Sequence, residues 1–325
     1  MEFFRLDTHI DFLRPRKIAF AVSAALLLLS LGSLLVRGLN FGIEFRGGVV
    51  LEAGFPESVV LDPIRQSLEV AGFERPQVQH FGSSRDVTVQ LQPSEEAQGE
   101  GVEGDGAEGP VGGALRDEIM QVLRAVDPGV QLKRVEFVGP QVGRDLAEQG
   151  ALATLFTLLM ILAYISFRFQ WKFSIGAVAA LVHDVLIVLG LFSLAWLPFD
   201  LSVLAALLAV IGYSLNDTIV VFDRIRENML RMRKRSSEEV INASLNQTLS
   251  RTIMTGVTTL LVLVALFALG GEAIAGFSIA LIAGILIGTY SSIYIASAVA
   301  LQLKVSMIDL APPQPKDDRE AGALP

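Results

Sequence analysis

Six stretches of this chain are so long and so apolar that lipid is the only environment able to hold them all: residues 18–36, 146–167, 173–196, 201–222, 252–269 and 274–303. A bilayer core of about 30 Å is crossed by roughly 20 apolar residues in a helix. Inside it every amide must be bonded within its own segment, so the runs have to be helices. Composition points the same way, with 52% hydrophobic and 18% charged residues over 325 positions and a mean hydropathy of +0.52, more apolar than a soluble domain of this length. The expected fold class is a polytopic α-helical membrane protein.

The first run follows Arg14-Pro15-Arg16-Lys17 as the apolar core of a signal peptide would. It is long enough to span, however, and ends at Val36-Arg37 without a small-x-small cleavage site, so it reads as an uncleaved first span. Basic residues set the orientation. Arg14, Arg16 and Lys17 precede span one, Arg168 and Lys172 separate spans two and three, and Arg224, Arg226, Arg231, Arg233, Lys234 and Arg235 follow span four. The connections 197–200 and 270–273 hold no Lys or Arg. The positive-inside rule then places segments 1–17, 223–251 and 304–325 in the cytoplasm and the insert 37–145 outside.

That insert has the pattern of a soluble domain. Strands are expected at 49–53, 77–81, 87–91 and 130–138 and helices at 63–71 and 115–126, in the order βαββαβ of a ferredoxin-like fold. Between its third strand and second helix, 93–113 is rich in Glu and Gly and reads as a disordered loop. Both junctions with the membrane are rich in glycine: Gly42, Gly47 and Gly48 on one side, Gly139, Pro140 and Gly143 on the other. They read either as hinges that absorb φ/ψ change or as two tight turns.

Several chemistries are excluded. There is no cysteine for disulfides or thiol catalysis, the three histidines do not cluster at metal-ligand spacing, and no phosphate-cradling Gly-Lys-Ser/Thr loop signals ATP hydrolysis. The chain reads as a non-enzyme without a bound cofactor.

What remains are ionisable groups inside the spans. Asn216 and Asp217 sit in span four and His183 and Asp184 in span three, while a capped helix starting near Ser236-Ser237-Glu238-Glu239 carries Arg251 to the edge of span five. A carboxylate at membrane depth costs about 2.5–3.5 kcal/mol on insertion scales and is kept where it lines a cavity, meets a partner or moves a proton. At ~1.5 Å per residue Asp217 lies ~24 Å from the outer end of its span, Arg251 ~28 Å and Asp184 ~18 Å, so Asp217 and Arg251 are at a depth where they can pair. The plainer readings are a kink cap for Asp217, a basic flank for Arg251 and a helix-packing hydrogen bond for His183 and Asp184, whose side chains point about 100° apart and are not expected to share a partner. A lone buried carboxylate suits a proton better than a metal cage, with Na⁺ left open.

The glycine-rich joint at 41–48, Val138-Gly139-Pro140 with Val142-Gly143, Val182-His183-Asp184, the run 212–228 and Leu245-Asn246-Gln247-Thr248-Leu249-Ser250-Arg251-Thr252 together resemble the SecF family of bacterial protein-export subunits. The resemblance covers nearly the whole chain except 93–113 and the tail after Ser306, and departs from the family pattern at Glu44, where Asp is expected. It implies a six-helix half of a resistance-nodulation-division type bundle in the inner membrane, with SecD as the other half. SecYEG, SecA, YajC and YidC are the further implied partners, with translocating preproteins and lipid but no nucleic acid. It also implies proton-driven late translocation through motion of the periplasmic domain, with Asp217 and Arg251 at the proton-transport positions. A small-molecule exporter half should carry a larger outer domain, and an intramembrane aspartyl protease should carry Tyr-Asp and Gly-x-Gly-Asp contexts that are absent. A purely structural assembly subunit is the third alternative.

Overall fold

The computed structural model describes residues 9–73, 76–81, 83–91, 110–271 and 274–305. Six helices in it are long and apolar enough to cross a membrane, consistent with the six expected spans. α1 (Arg16–Val36) leads through β1 (Asn40–Phe41) and the single turn α2 (Ile43–Arg46) into the inserted domain. That domain contains β2 (Gly48–Gly54), α3 (Leu61–Val70), β3 (Gln77–Phe81), β4 (Ser83–Leu91), α4 (Pro110–Val126) and β5 (Gln131–Val138). The chain returns in α5 (Pro140–Arg168) and α6 (Trp171–Leu194), crosses β6 (Pro198–Phe199), and continues in α7 (Leu201–Arg231), α8 (Ser237–Leu269) and α9 (Ala275–Ser291). A π-helical turn, Ser292–Ala296, joins α9 to α10 (Ser297–Gln302) within the sixth span.

The inserted domain has its strands in the order β3-β4-β2-β5, every neighbouring pair antiparallel. Alternation along β2 turns Val49, Leu51 and Ala53 to one face, where they meet Val87 and Val89 of β4, Ile64 and Leu68 of α3, and Ile119 and Leu123 of α4 in one apolar core. The element order is the one the sequence pattern predicts. α4 begins at Pro110, inside the expected loop 93–113; residues 93–109 of that loop fall outside the described residues.

Helix boundaries depart from expectation where apolar periodicity runs beyond the lipid. α7 continues past 222 because Ile225, Asn228 and Met229 stay buried, and α8 starts with a Ser236/Glu239 capping box and buries Val240, Ile241, Leu245 and Leu249. Of the expected basic loop and amphipathic helix over 223–251, the capped helix is present as the start of α8, while the loop is reduced to residues 232–236 between the two helices. The N-terminal segment is tied to the same place. Phe12 and Leu13 are buried, Asn242 Oδ1 accepts from the Phe12 amide at 2.8 Å, and Asn246 both accepts from and donates to the Ile10 backbone.

At the other end of the bundle the chain is clamped rather than looped. β1 pairs with β6 in parallel, the Gly42 amide donates to Phe199 O at 2.9 Å, and the rings of Phe41, Phe45 and Phe199 pack together. α5 begins at Pro140, not 146, with Gly139 at its N-cap and Gly143 in its first turn. A Cβ on Gly143 would lie 2.6 Å from Gly47 N, so the two glycine-rich junctions touch each other and are not two independent turns. Gly47 and Gly48, at φ 76° and 144°, adopt a backbone that side chains rarely tolerate.

Candidate functional site

α1, α6, α7 and α9 meet at the centre of the bundle, and small residues allow it. Gly190 of α6 lies against Ser30 of α1, Gly284 of α9 against Val210 of α7, and Gly288 against Ser214. Close approach of this kind is how helices gain contact where lipid removes the hydrophobic drive. Serines at the same crossings bond a backbone carbonyl, another hydroxyl or a carboxylate.

Asp184, 1% exposed, is the hub. Its Oδ2 accepts from Ser214 Oγ of α7 at 2.6 Å and from Ser291 Oγ of α9 at 2.7 Å, and its Oδ1 faces His183 Nδ1 at 2.9 Å. Adjacent helical residues were not expected to share a partner; instead the imidazole turns along the helix onto its own neighbour. His183 Nε2 then meets Ser23 Oγ of α1 at 3.1 Å, Ser23 Oγ lies 3.0 Å from the Tyr290 hydroxyl, and Tyr290 donates to Ala19 O at 2.8 Å. Through these bonds the pair ties α1, α6, α7 and α9 together.

Asp217 is in the opposite condition. It is 3% exposed, yet its Oδ2 has no hydrogen-bond partner, and the Tyr213 hydroxyl one turn earlier is also buried and unpartnered. The next residue, Thr218, reaches Ser292 Oγ of the π-helical turn at 2.8 Å, so the irregular stretch of the sixth span lies beside the acid. Turns of this kind inside α-helices are frequent at functional sites. A buried carboxylate oxygen left bare is costly and calls for a reason.

The expected Asp217–Arg251 contact is not formed. Arg251 is close enough for its charge to act on Asp217, but its side chain is exposed and makes no ion pair among the described residues. Asn216 is exposed as well, on a stripe of α7 with Leu201, Ala205, Ala209 and Gly212. Of the five candidates the structure joins His183 to Asp184, buries Asp217 next to them, and leaves Asn216 and Arg251 on an open face. Sequence reasoning missed Ser23, Ser291, Ser292 and Tyr290. The available signal was hydroxyl side chains recurring inside otherwise apolar spans.

Residues 118–306 match the family model described as protein export membrane protein SecD/SecF, C-terminal, and residues 32–55, which contain Gly42, Gly47 and Gly48, match the SecD/SecF GG motif. The chain belongs to the SecD/SecF family of protein-export membrane proteins. Among its relatives is the protein translocase subunit SecF of Vibrio alginolyticus, 45% identical over 99% of this chain and 98% of that one. The SecF of Pseudomonas aeruginosa is 47% identical over 95% and 96%. A SecDF crystal structure from Thermus superposes with a TM-score of 0.77 at 36% identity, covering 93% of this chain, and SecDF in a super-membrane-facing form superposes at 0.69. The chain spans 39% of the length of either solved SecDF chain. The family match and the six apolar helices make the chain a multi-pass membrane protein with a role in protein export.

Proposed function

We propose that the chain, paired with SecD, couples ion entry through the membrane to a late stage of preprotein translocation. The observation that carries this reading is Asp217: an acid in the middle of a span, buried and with a carboxylate oxygen unpartnered, beside the one π-helical turn among the described residues. One elementary charge crossing the membrane supplies about 2.3 kcal/mol per 100 mV, useful only where a conformational change accompanies it. A proton suits a lone carboxylate, and no bound cofactor is needed.

The chain sits in the bacterial inner membrane with both termini cytoplasmic, its inserted domain being ferredoxin-like and periplasmic. Its other contacts are the SecYEG channel, SecA, YajC and YidC, and the preprotein itself. SecD covers the open face bearing Ala205, Ala209, Gly212, Asn216 and Arg251, which makes Arg251 a group shared between the two halves. Gly42, Gly47, Gly48, Gly139, Pro140 and Gly143 are the joint about which the outer domain moves. The unequal fit to two forms of SecDF, 0.77 against 0.69 at the same identity and coverage, supports a family fold with more than one arrangement.

The test is export from membrane vesicles supplied with ATP, with and without the proton gradient. Wild type is expected to lose late-stage export when the gradient is collapsed, and Asp217→Asn to behave with the gradient as wild type does without it. A gradient-sensitive Asp217→Asn complex would refute the reading.

A further inference from the structure

The bonds around His183 can be counted in protons. Four contacts run in series: His183 Nδ1 to Asp184 Oδ1, His183 Nε2 to Ser23 Oγ, Ser23 Oγ to the Tyr290 hydroxyl, and the Tyr290 hydroxyl to Ala19 O, at 2.9, 3.1, 3.0 and 2.8 Å. Each needs one hydrogen. A carboxylate with a neutral imidazole offers only three, one each on the imidazole, Ser23 and Tyr290. In the last contact the acceptor is a carbonyl, so Tyr290 must donate there; Ser23 must then donate to Tyr290, and Nε2 must donate to Ser23. Nδ1 faces the carboxylate with a hydrogen only if the pair holds one more proton. Asp184 Oδ2 contributes none, because it already accepts from Ser214 and Ser291.

We propose that His183 and Asp184 form a proton-binding site of their own, separate from Asp217, whose occupancy decides whether the hydrogen-bonded chain from Asp184 through Ser23 of α1 to Tyr290 of α9 is unbroken. With the extra proton on Nδ1 the pair is an imidazolium against a carboxylate that also accepts from two serine hydroxyls. Losing it leaves a buried negative charge and one contact of the four without a hydrogen, so the link from α6 through Ser23 to Tyr290 breaks at one point. The groups facing the pair are Ser23 from α1, Ser214 from α7 with Asp217 one turn further on, and Ser291 and Tyr290 from α9, with Tyr294 packed on Tyr290 and the exposed Arg251 on α8 beyond Asp217. Release at this point would weaken one of the ties of α1 to the helices that hold Asp217, the Ser33–Ser193 bond to α6 remaining, and this ties the site's role, though not its chemistry, to the ion-coupled function proposed above.

The full chain, labelled with ¹⁵N-histidine and held in lipid nanodiscs at neutral pH, gives the test by solid-state NMR. It contains three histidines, and His183→Gln identifies the resonance by its disappearance. Two protonated ring nitrogens on His183 are expected in wild type. Tyr290→Phe deletes an acceptor and leaves two contacts for two hydrogens, so one protonated and one bare nitrogen are expected there. A bare ring nitrogen in wild type overturns the proposal, as does a Tyr290→Phe spectrum that keeps both protons in a chain whose helical circular dichroism is unchanged. Asp217→Asn should leave the His183 spectrum as in wild type, and a changed spectrum would overturn the separateness of the two sites. Should vesicle export prove indifferent to the gradient, the coupling reading falls while the ring-proton result stands by itself.

Discussion

Gly284 is where the packing beneath the buried acids can be challenged with a single methyl group. A Cβ there would lie 2.1 Å from Val210 Cγ2, 2.6 Å from Cγ1 and 2.9 Å from Cβ. Carbon atoms settle at about 3.5–4.0 Å, so the closest pair falls short by about 1.4 Å. All three atoms belong to a β-branched side chain that is fully buried, and rotating χ1 removes one clash by making another. Relief must come from α7 and α9 moving apart. Overpacking of this kind costs about 1–3 kcal/mol, a factor of about 5–150 in the folding equilibrium at about 1.4 kcal/mol per tenfold. The assay is unfolding of the full chain in micelles, followed by helical circular dichroism against added SDS. Gly284→Ala should lower the midpoint, and Val210→Ala in the same chain should restore most of the loss by opening space for the new methyl. Gly212→Ala is the control: nothing lies within 4 Å of a Cβ at that position, and replacing a helical glycine by alanine is worth about 0.5–1 kcal/mol of stability. In the chain alone it should stabilise. If Gly284→Ala is as stable as wild type, or Val210→Ala fails to rescue it, the tight α7–α9 crossing is not what holds the span bearing Asp217.

Glu44, in α2 at the outer junction, is pushed up from its ordinary value of 4.5 chiefly by burial; its own backbone amide opposes the shift, and the charges of Asp200 and Glu136 add to it. A raised carboxyl favours the folded state below the unfolded value, and that advantage is lost as pH rises through the folded one, so thermal melting of the wild-type chain should fall on going from pH 4.5 upward. Glu44→Gln should flatten this dependence and melt higher at pH 7; parallel curves for the two chains would refute it. Gly48 has φ of 144°, and a Cβ on it would lie 2.3 Å from Leu91 O. Gly48→Ala should cost about 1–3 kcal/mol in unfolding of the inserted domain, read as faster proteolysis between α1 and α5, while Gly38→Ala, positive in φ but with nothing within 4 Å, should cost less.

Elements set by a single period were legible in the sequence. Continuous apolar runs gave six spans, and alternation gave the strands of the inserted domain, because burial on one face or on all faces leaves its mark on consecutive residues. The limits of the helices were less legible. The basic residues after Phe222 suggest a loop, yet Ile225, Asn228 and Met229 keep the helical spacing and pack beneath the charged face, so charge obscured a periodicity that was present. The clamp at the outer junction was hidden for another reason. β1 and β6 are two residues each and lie about 160 positions apart, and no local pattern encodes such a parallel pair. The acids divide similarly. A carboxylate inside an apolar run is conspicuous, but whether it is satisfied depends on serines from other helices, and a serine among leucines has the same appearance whether it fills a gap or donates a bond.

That last difference separates two residues that look alike in the sequence. Asp184 and Asp217 are both acids in apolar spans and both almost fully buried. Asp184 has two hydroxyls and an imidazole arranged around it, so its charge is met inside the bundle and a proton gained or lost there changes the bonds of the His183–Ser23–Tyr290 chain. Asp217 has an oxygen with no donor, so for that group the ionised form is the one its surroundings do not accommodate. A group whose donors are already in place rearranges only the bonds it makes, whereas one that is badly solvated in one form pulls on whatever can relieve it. In this bundle the nearest sources of relief are the Tyr213 hydroxyl, itself unpartnered, and Arg251 on the open face, and reaching either requires α7 or α8 to shift. The proposed function therefore needs the poor solvation of Asp217.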